Sequence, residues 1–456
     1  MLWLVVATAT VARVMLAWSY FGFLGGDDVE MLEEAFRRAF GLAYAPWNIR
    51  SLLLPDLMVA PVLRALAFVG IHDSGALVLG ATGPFIALAS LNVVLVYRLA
   101  SALAHDRAVA RAAATLYALH WLPLAFGATV YPRTPAVTCV LLAALALVGA
   151  ERDAARGLAA GVLLAVAFAA RYSDGVFLFP LLPLCLYAGA NRAGSLRRAL
   201  GVAGGFALGA ALTAGVYDAL TWGRPFASFM ALFRLTVVEH ISSSRIPVQG
   251  PLFYLARVVF WVPPTLLVVL PFAWRERRVR VAWPFLLLPV AVLSLLFHKE
   301  LRYLQGVVPF LAILGAAGFV AARRRWPRVL VATLFVLTLA TEAFGARLLR
   351  GKSMAAVTAA RAIASEPGVN VVALSQAWAY GDRLFLGNRI EVRDLPVPPT
   401  ARDLEAAAER ADRIAIYRDD LERDASLVGS LARHGFRESR TFAWGESKAV
   451  VVFSRE

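Results

Sequence analysis

From Met1 to about Leu348 the chain passes through one apolar stretch after another, recurring about every 20–30 residues and each close to the ~20 residues that a membrane-spanning helix needs. That recurrence constrains the fold more than any single motif. With 60% of its 456 residues hydrophobic and 17% charged, the chain has more apolar surface than one globular core can hide. The spacing predicts a polytopic α-helical membrane protein with about 11–13 transmembrane helices. A soluble enzyme, a fibrous protein and a disordered chain are excluded. Spans are expected at 2–22, 82–103, 108–127, 135–150, 157–170, 174–190, 198–221, 251–272, 281–297, 303–322 and 328–348. Met1 to Phe21 lacks a basic leading region and a small-x-small cleavage site before Gly25, so it reads as a retained first span rather than a signal peptide.

The net charge of +15 does not point to nucleic acid, because the arginines sit in short loops rather than on one soluble face. The loops fall into two alternating classes. One is basic: Arg107 with Arg111, Arg152 with Arg156, Arg192 with Arg197 and Arg198, Arg275 to Arg280, and Arg323 to Arg328. The other holds Asp27 to Arg50, Tyr131 to Thr134, Arg171 to Asp174, Trp222 to Gly250, and His298 to Arg302. By the positive-inside rule the basic class is cytoplasmic and the other faces outward, with everything after Leu348. The expected location is the inner (cytoplasmic) membrane, with the outward loops 25–50 and 222–250 toward the periplasm or exterior.

Residues 52–71 are apolar enough to cross, but a further crossing would invert every later loop. Pro55, Asp56, Pro61 and Arg64 interrupt the stretch, and charge at mid-bilayer is costly, so it is expected to be re-entrant or interfacial, the alternative being a true span with the extra crossing between 71 and 103. The membrane domain is thus taken as 1–350. Beyond it, VNVVAL (369–374), RIEVRD (389–394), RIAIYR (413–418) and AVVVFS (449–454), with helix-like stretches such as 401–412, predict a small soluble α/β domain over 354–456. Cys139 and Cys185 lie inside apolar stretches and read as buried free thiols.

The outward loops carry the polar groups. In GGDDVEMLEEAFRRAFG (25–41), Val29, Leu32, Phe36, Ala39 and Phe40 fall near helical spacing with the charges mostly opposite, the pattern of an amphipathic helix on the membrane surface. Asp27 is placed to cap that helix, with Glu30 as a box-like partner and Asp28 as a first-turn acid. A cap can also face a cleft, so both readings of Asp27 stand. His298, Lys299, Glu300 and Arg302 put four ionisable groups at one span boundary. They are either a functional cluster or snorkelling cations with Glu300 as counter-ion. Arg133 in YPRT and Arg171 in RYSD add cations with planar donor forks suited to phosphate, against a plain reading as interfacial anchors. Arg50 and Arg245 lie on the same face.

These residues together resemble glycosyltransferase family 22, the mannosyltransferases that build N-glycan and GPI precursors from dolichyl-phosphate-mannose, within the C-type glycosyltransferase superfamily. Asp27 and Asp28 stand where that family has an outward Asp-Glu pair before an amphipathic helix. PWNIRS (46–51) is similar to its Trp-containing stretch through Trp47, Arg50 and Ser51, and Arg133-Thr134 to its loop Arg-Thr. FHKELRYL (297–304) resembles its His-Lys-Glu-Glu-Arg-Phe signature, with Leu301 and Tyr303 as departures. The resemblance covers roughly 1–320, and an Ala/Arg-rich composition suits a bacterial member.

The resemblance implies a polyprenyl-phosphate-linked sugar as donor and a lipid-linked or glycan acceptor, with no cofactor. Such a donor carries its own leaving group, so one carboxylate to take the acceptor proton and cations on the departing phosphate suffice. Asp27 is the expected base and Asp28 positions the acceptor. His298, Lys299 and Arg302 contact the phosphate, with Arg133 and Arg171 as further candidates. Glu300, Trp47, Arg50 and Arg245 are expected around the acceptor. There is no Asp-x-Asp pair and no His-rich site for a metal. The rival readings are a related C-type enzyme using another polyprenyl-phosphate sugar, a lipid or glycan transporter, and an assembly subunit with a degenerate site. The first rival lacks the His-Lys-Glu signature, the second predicts an inverted repeat that is not evident, and the third predicts loss of Asp27.

Overall fold

A computed structural model describes residues 1–43, 49–148, 154–187, 192–239, 248–347, 354–443 and 449–455. Among the described residues, five helices are long and apolar enough to cross a bilayer: Leu2–Ser19, Ser74–Ala104, Gly194–Trp222, Arg277–Leu295 and Arg328–Arg347. Several other expected spans are shorter helices, including Arg133–Val148, Ala154–Ala170, Tyr172–Leu186, Pro264–Ala273 and Val308–Ala322. The chain is an integral, multi-pass membrane protein. The span expected at 82–103 begins eight residues earlier, at Ser74. The stretch 52–71 forms a helical run over Pro55–Val59 and Ala60–Phe68, about 21 Å long at 1.5 Å per residue and short of a ~30 Å core.

The span expected at 108–127 is broken at His120, between helices Arg107–Leu119 and Trp121–Phe126. A break inside apolar surroundings exposes backbone donors, and side chains meet them here. The Leu122 N–H donates to His120 Nδ1 (3.2 Å) and the Trp121 N–H to Glu342 Oε2 (2.9 Å). This gives Glu342, an acid within the last long helix, a structural task.

Helices Ala154–Ala170 and Arg192–Ala210 pack backbone to backbone. A Cβ on Gly205 would lie 2.1 Å from the Leu158 carbonyl oxygen, one on Gly161 2.2 Å from that of Val202, and one on Gly157 2.4 Å from that of Arg198. Glycines four apart on both partners are what permit this approach where lipid, not water, surrounds the pair. Arg198, fully buried, donates to the Leu147 carbonyl at the end of the preceding helix (3.1 Å). Cys185 is buried and Cys139 partly so, and both are free thiols.

The C-terminal residues form a five-stranded sheet in the order β2-β1-β3-β5-β4. Its strands are β1 (Val371–Ser375), β2 (Glu391–Leu395), β3 (Arg413–Tyr417), β4 (Phe436–Phe442) and β5 (Val450–Arg455). β1 pairs in parallel with β2 and β3, and β5 is antiparallel to β3 and β4. Four strands fall on the apolar runs read from the sequence. β4 has no apolar run in the sequence, because FRESRTF is a polar edge strand paired along one edge with β5. The helix Ala401–Ala408 opens on a capping box of Thr400 and Asp403.

By contact the chain divides into two compact units. The first comprises Met1–Met15, Ala45–Leu54 and Pro84–Leu349. The second comprises Leu16–Tyr44, Pro55–Gly83 and Arg350–Glu456. The second therefore takes the acidic helix as well as the sheet.

Candidate active site

In the first unit, three loops that are far apart in sequence meet around the ring of Tyr303. The guanidinium of Arg133 lies 5.2 Å from its centroid and that of Arg171 5.3 Å. Arg302 lies 6.0 Å from the same centroid and 5.7 Å from that of Tyr131. The His298 ring meets the Tyr303 edge at 5.6 Å. Cations gather on an aromatic face because its quadrupole is negative there, and more strongly where water is excluded.

The members of this cluster differ in what they are bound to. Arg133 is fully buried: it donates to the Tyr303 carbonyl, to Ser173 Oγ (2.6 Å), and its Nε lies 3.7 Å from Asp174. It thereby ties the 131–134, 171–174 and 298–303 loops into one piece. Lys299 is also buried, its Nζ donating to the Gln249 carbonyl (2.6 Å) and to that of Leu296. Burial lowers the Lys299 pKa from the usual lysine range. Glu300 accepts from Arg302 and lies 3.3 Å from His298 Nε2. Arg302 and His298 keep some exposure, their side chains being 15% and 17% accessible, and Arg171 is half-buried. Among the described residues, three arginines and a lysine thus stand against the carboxylates of Asp174 and Glu300, and this set is net cationic. It can hold a divalent oxyanion.

The buried network extends behind Arg171. Tyr172 OH bonds with Ser228 Oγ, while the Ser228 N–H and hydroxyl donate to Asp218 Oδ2 (2.9 and 2.6 Å). On the other flank Gln305 Nε2 donates to Thr134 Oγ1 (3.2 Å). Arg50 is half-buried in the same unit, while Trp47 and Arg245 lie outside the described residues.

Asp27 and Asp28 belong to the second unit. The helix Gly26–Ala39 has Gly25 as its N-cap with no side-chain cap, so Asp27 is not the cap but a partly exposed residue of the first turn. Asp28 takes the structural role: it is fully buried and its Oδ2 accepts from the Leu24 N–H (2.9 Å). The amphipathic reading of this helix is also corrected, because Glu30, Glu33 and Glu34 are buried as well as Leu32. Glu33 accepts from the backbone N–H groups of Arg383 and Leu384 (3.2 and 3.1 Å) and from Arg37 (2.7 Å). Arg37 in turn donates twice to Asp382 (2.8 and 3.0 Å). Burial, with Asp382 beside it, pushes the Glu33 carboxyl up to about 7. Asp56 pairs with Arg38 (2.7 Å), and Arg64 donates to the carbonyls of Ala39 and Arg38 at the helix C-terminus (3.1 and 3.0 Å). The two charges inside 52–71 are thus bound to protein.

Tyr303, Ser173 and Asp174 were not singled out by sequence. Tyr303 is a small departure from the family's phenylalanine, and its value as a shared platform depends on loops about 130 and 170 positions upstream.

The family match makes the chain a membrane glycosyltransferase. The chain belongs to the Alg9-like mannosyltransferase family, whose model matches residues 38–363. The match includes the His298–Arg302 stretch and begins after Asp27 and Asp28. No curated protein matches. Among solved structures, ArnT from Cupriavidus metallidurans bound to undecaprenyl phosphate is similar at 12% identity and a TM-score of 0.55, covering 98% of this chain and 97% of ArnT. The oligosaccharyltransferase AglB from Archaeoglobus fulgidus, in complex with an inhibitory peptide and a dolichol-phosphate, is similar at 11% identity and a TM-score of 0.52, covering 91% of this chain and 69% of AglB. At these identities the likeness is one of fold.

Proposed function

We propose that the protein is an inverting mannosyltransferase that moves a sugar from a polyprenyl-phosphate donor to a hydroxyl of a lipid-linked or glycan acceptor. The reaction is placed at the outer face of the inner membrane, with the C-terminal domain on the same side. The observation that carries the reading is the net-cationic cluster around Tyr303, built on the family's His-Lys-Glu stretch. Two proteins of the same fold hold polyprenyl phosphates, undecaprenyl phosphate in ArnT and dolichol-phosphate in AglB.

Arg302, Arg171 and His298 receive the donor phosphate, while Arg133 and Lys299 hold the loops that present them. Asp27 is the base, and Asp28, fixed on Leu24, sets the turn that carries it. The acceptor oxygen bonds to the anomeric carbon as the bond from that carbon to the phosphate oxygen breaks. The acceptor proton goes to Asp27 and the electron pair leaves with the polyprenyl phosphate, whose growing charge the arginines stabilise. Glu300, Trp47, Arg50 and Arg245 remain the candidates for the acceptor side.

The test uses purified protein in detergent with labelled polyprenyl-phosphate-mannose or nucleotide-mannose, cell lipid extract as acceptor, and Asp27→Asn as control. Transfer from the lipid donor alone, lost in the variant while its thermal unfolding is unchanged, is expected. Transfer from the nucleotide sugar, or near-normal activity of Asp27→Asn, overturns the donor or the base respectively.

A further inference from the structure

We propose that the C-terminal domain positions Asp27, with Trp378 as the positioning residue. The inference rests on Asp27 being the base, and it gives that domain a part in the reaction. Within the second unit, the turn that carries Asp27 is held before, at and after that residue by side chains and backbone from far later in the chain. Before it, the Phe385 ring meets those of Phe21 and Phe23 at 6.2 and 6.1 Å, and the Arg361 guanidinium lies 3.8 Å from the Phe21 centroid. Phe21 has a φ of 56°, a left-handed backbone that a bulky residue keeps only where its surroundings impose it. After it, Glu33 accepts from the Arg383 and Leu384 N–H groups, and Arg37 donates twice to Asp382.

At the turn itself the contact is Trp378. A Cβ on Gly26 would lie 3.3 Å from Trp378 Cη2 and Cζ3, tighter than side chains ordinarily pack, so the ring rests on the glycine beside Asp27. Trp378 is in turn set by the sheet. It lies in the short helix Ala377–Tyr380 after β1, and the Ala377 N–H donates to Asp394 Oδ1 on β2 (2.9 Å). A base must stand within hydrogen-bond reach of the proton it takes, and a misplacement of about 1 Å can cost about 100-fold in rate. A partly exposed carboxylate on a turn gains such precision from a rigid neighbour, and the ring on Gly26 supplies it. Trp378 acts through Gly26 on Asp27 and needs no contact with donor or acceptor.

The experiment compares Trp378→Ala, Trp378→Phe, Thr400→Ala and Asp27→Asn in transfer from polyprenyl-phosphate-mannose. Trp378→Leu stands in if the alanine variant does not fold. Thr400→Ala removes the capping box of helix Ala401–Ala408 and so lowers Tm away from the turn. In Trp378→Ala, kcat should fall about 10- to 100-fold with donor KM unchanged, while Trp378→Phe stays within about 3-fold of wild type. Thr400→Ala should lose Tm and keep kcat. A nitroxide on Asp27→Cys, in a Cys139→Ala/Cys185→Ala background, reads the turn without activity. Its spectrum should be that of an immobilised label and should narrow on adding Trp378→Ala but not Thr400→Ala. Unchanged kcat in Trp378→Ala, an equal kcat loss in Thr400→Ala, or a label indifferent to Trp378→Ala overturns the positioning role, and an inactive Asp27→Asn then leaves the base reading standing. Near-normal activity of Asp27→Asn defeats the base reading itself, whatever the label shows.

Discussion

The Tyr303 cluster and the acidic helix Gly26–Ala39 are both dense in charge, and the two regions use it differently. In the acidic helix, Glu33 satisfies two backbone N–H groups and Arg37, Arg37 satisfies Asp382, and Arg38 satisfies Asp56. These charges hold chain to chain, and an acid sits opposite each cation. Around Tyr303 the deepest members are held by the frame, Arg133 by Asp174 and Lys299 by two carbonyls, while Arg302 and His298 share the carboxylate of Glu300. Arg302, His298 and Arg171 keep some exposure. A structural charge network closes on itself, whereas a binding site leaves charge of one sign facing the ligand.

The sharpest way to break this contrast is Arg133→Met. If Arg133 is architectural, the change leaves Asp174 buried without its cation and lowers stability by about 3–5 kcal/mol, read as a fall in Tm. Adding Asp174→Leu should recover much of that loss. Loss of activity at unchanged Tm would move Arg133 to the binding members instead. Gly205→Leu tests the frame beneath both readings. With a Cβ 2.1 Å from the Leu158 carbonyl oxygen, the helix pair must separate, at a cost of about 1–3 kcal/mol or more and with reduced yield of folded protein.

Arg302→Gln probes the exposed members. A charge-assisted contact to phosphate contributes about 1.5–3 kcal/mol, so the donor KM should rise about 10- to 100-fold with Tm unchanged. A Tm loss with unaltered KM would return Arg302 to a purely structural role.

The smallest effect is the pH dependence set by Glu33. Its carboxyl holds a proton up to about 7 in the folded protein, against 4.5 for the ordinary group. Between those values the folded state binds more protons than the unfolded state, so stability is fullest below about 4.5 and falls as pH rises through about 7. Melting curves of wild type and Glu33→Gln between pH 5 and 8 should differ in slope, wild type losing stability with rising pH relative to the variant. Parallel curves would place the proton elsewhere.

Much of the candidate site was legible in the sequence because charge is rare in apolar chain. His298, Lys299, Glu300 and Arg302 stand out at a span boundary whatever the fold, and Arg133 and Arg171 do so in their loops. The acidic helix misled for the complementary reason. Polar residues opposite an apolar stripe normally face water, and only the packed backbone N–H groups of Arg383 and Leu384 make Glu33 an interior residue. β4 escaped because an exposed edge strand has no apolar run to announce it.

The sequence by itself determined a multi-pass membrane protein with a C-terminal α/β domain and the polar residues of the candidate site, since hydropathy, charge and local spacing are properties of neighbours in the chain. Only the tertiary structure decided which cations are buried in the frame and which keep some exposure. It alone placed Asp28 inside and left Asp27 partly exposed, and it alone brought Arg133, Arg171 and Arg302 to one tyrosine ring. Those outcomes depend on burial and on contacts across up to 350 positions of sequence, which no local pattern encodes.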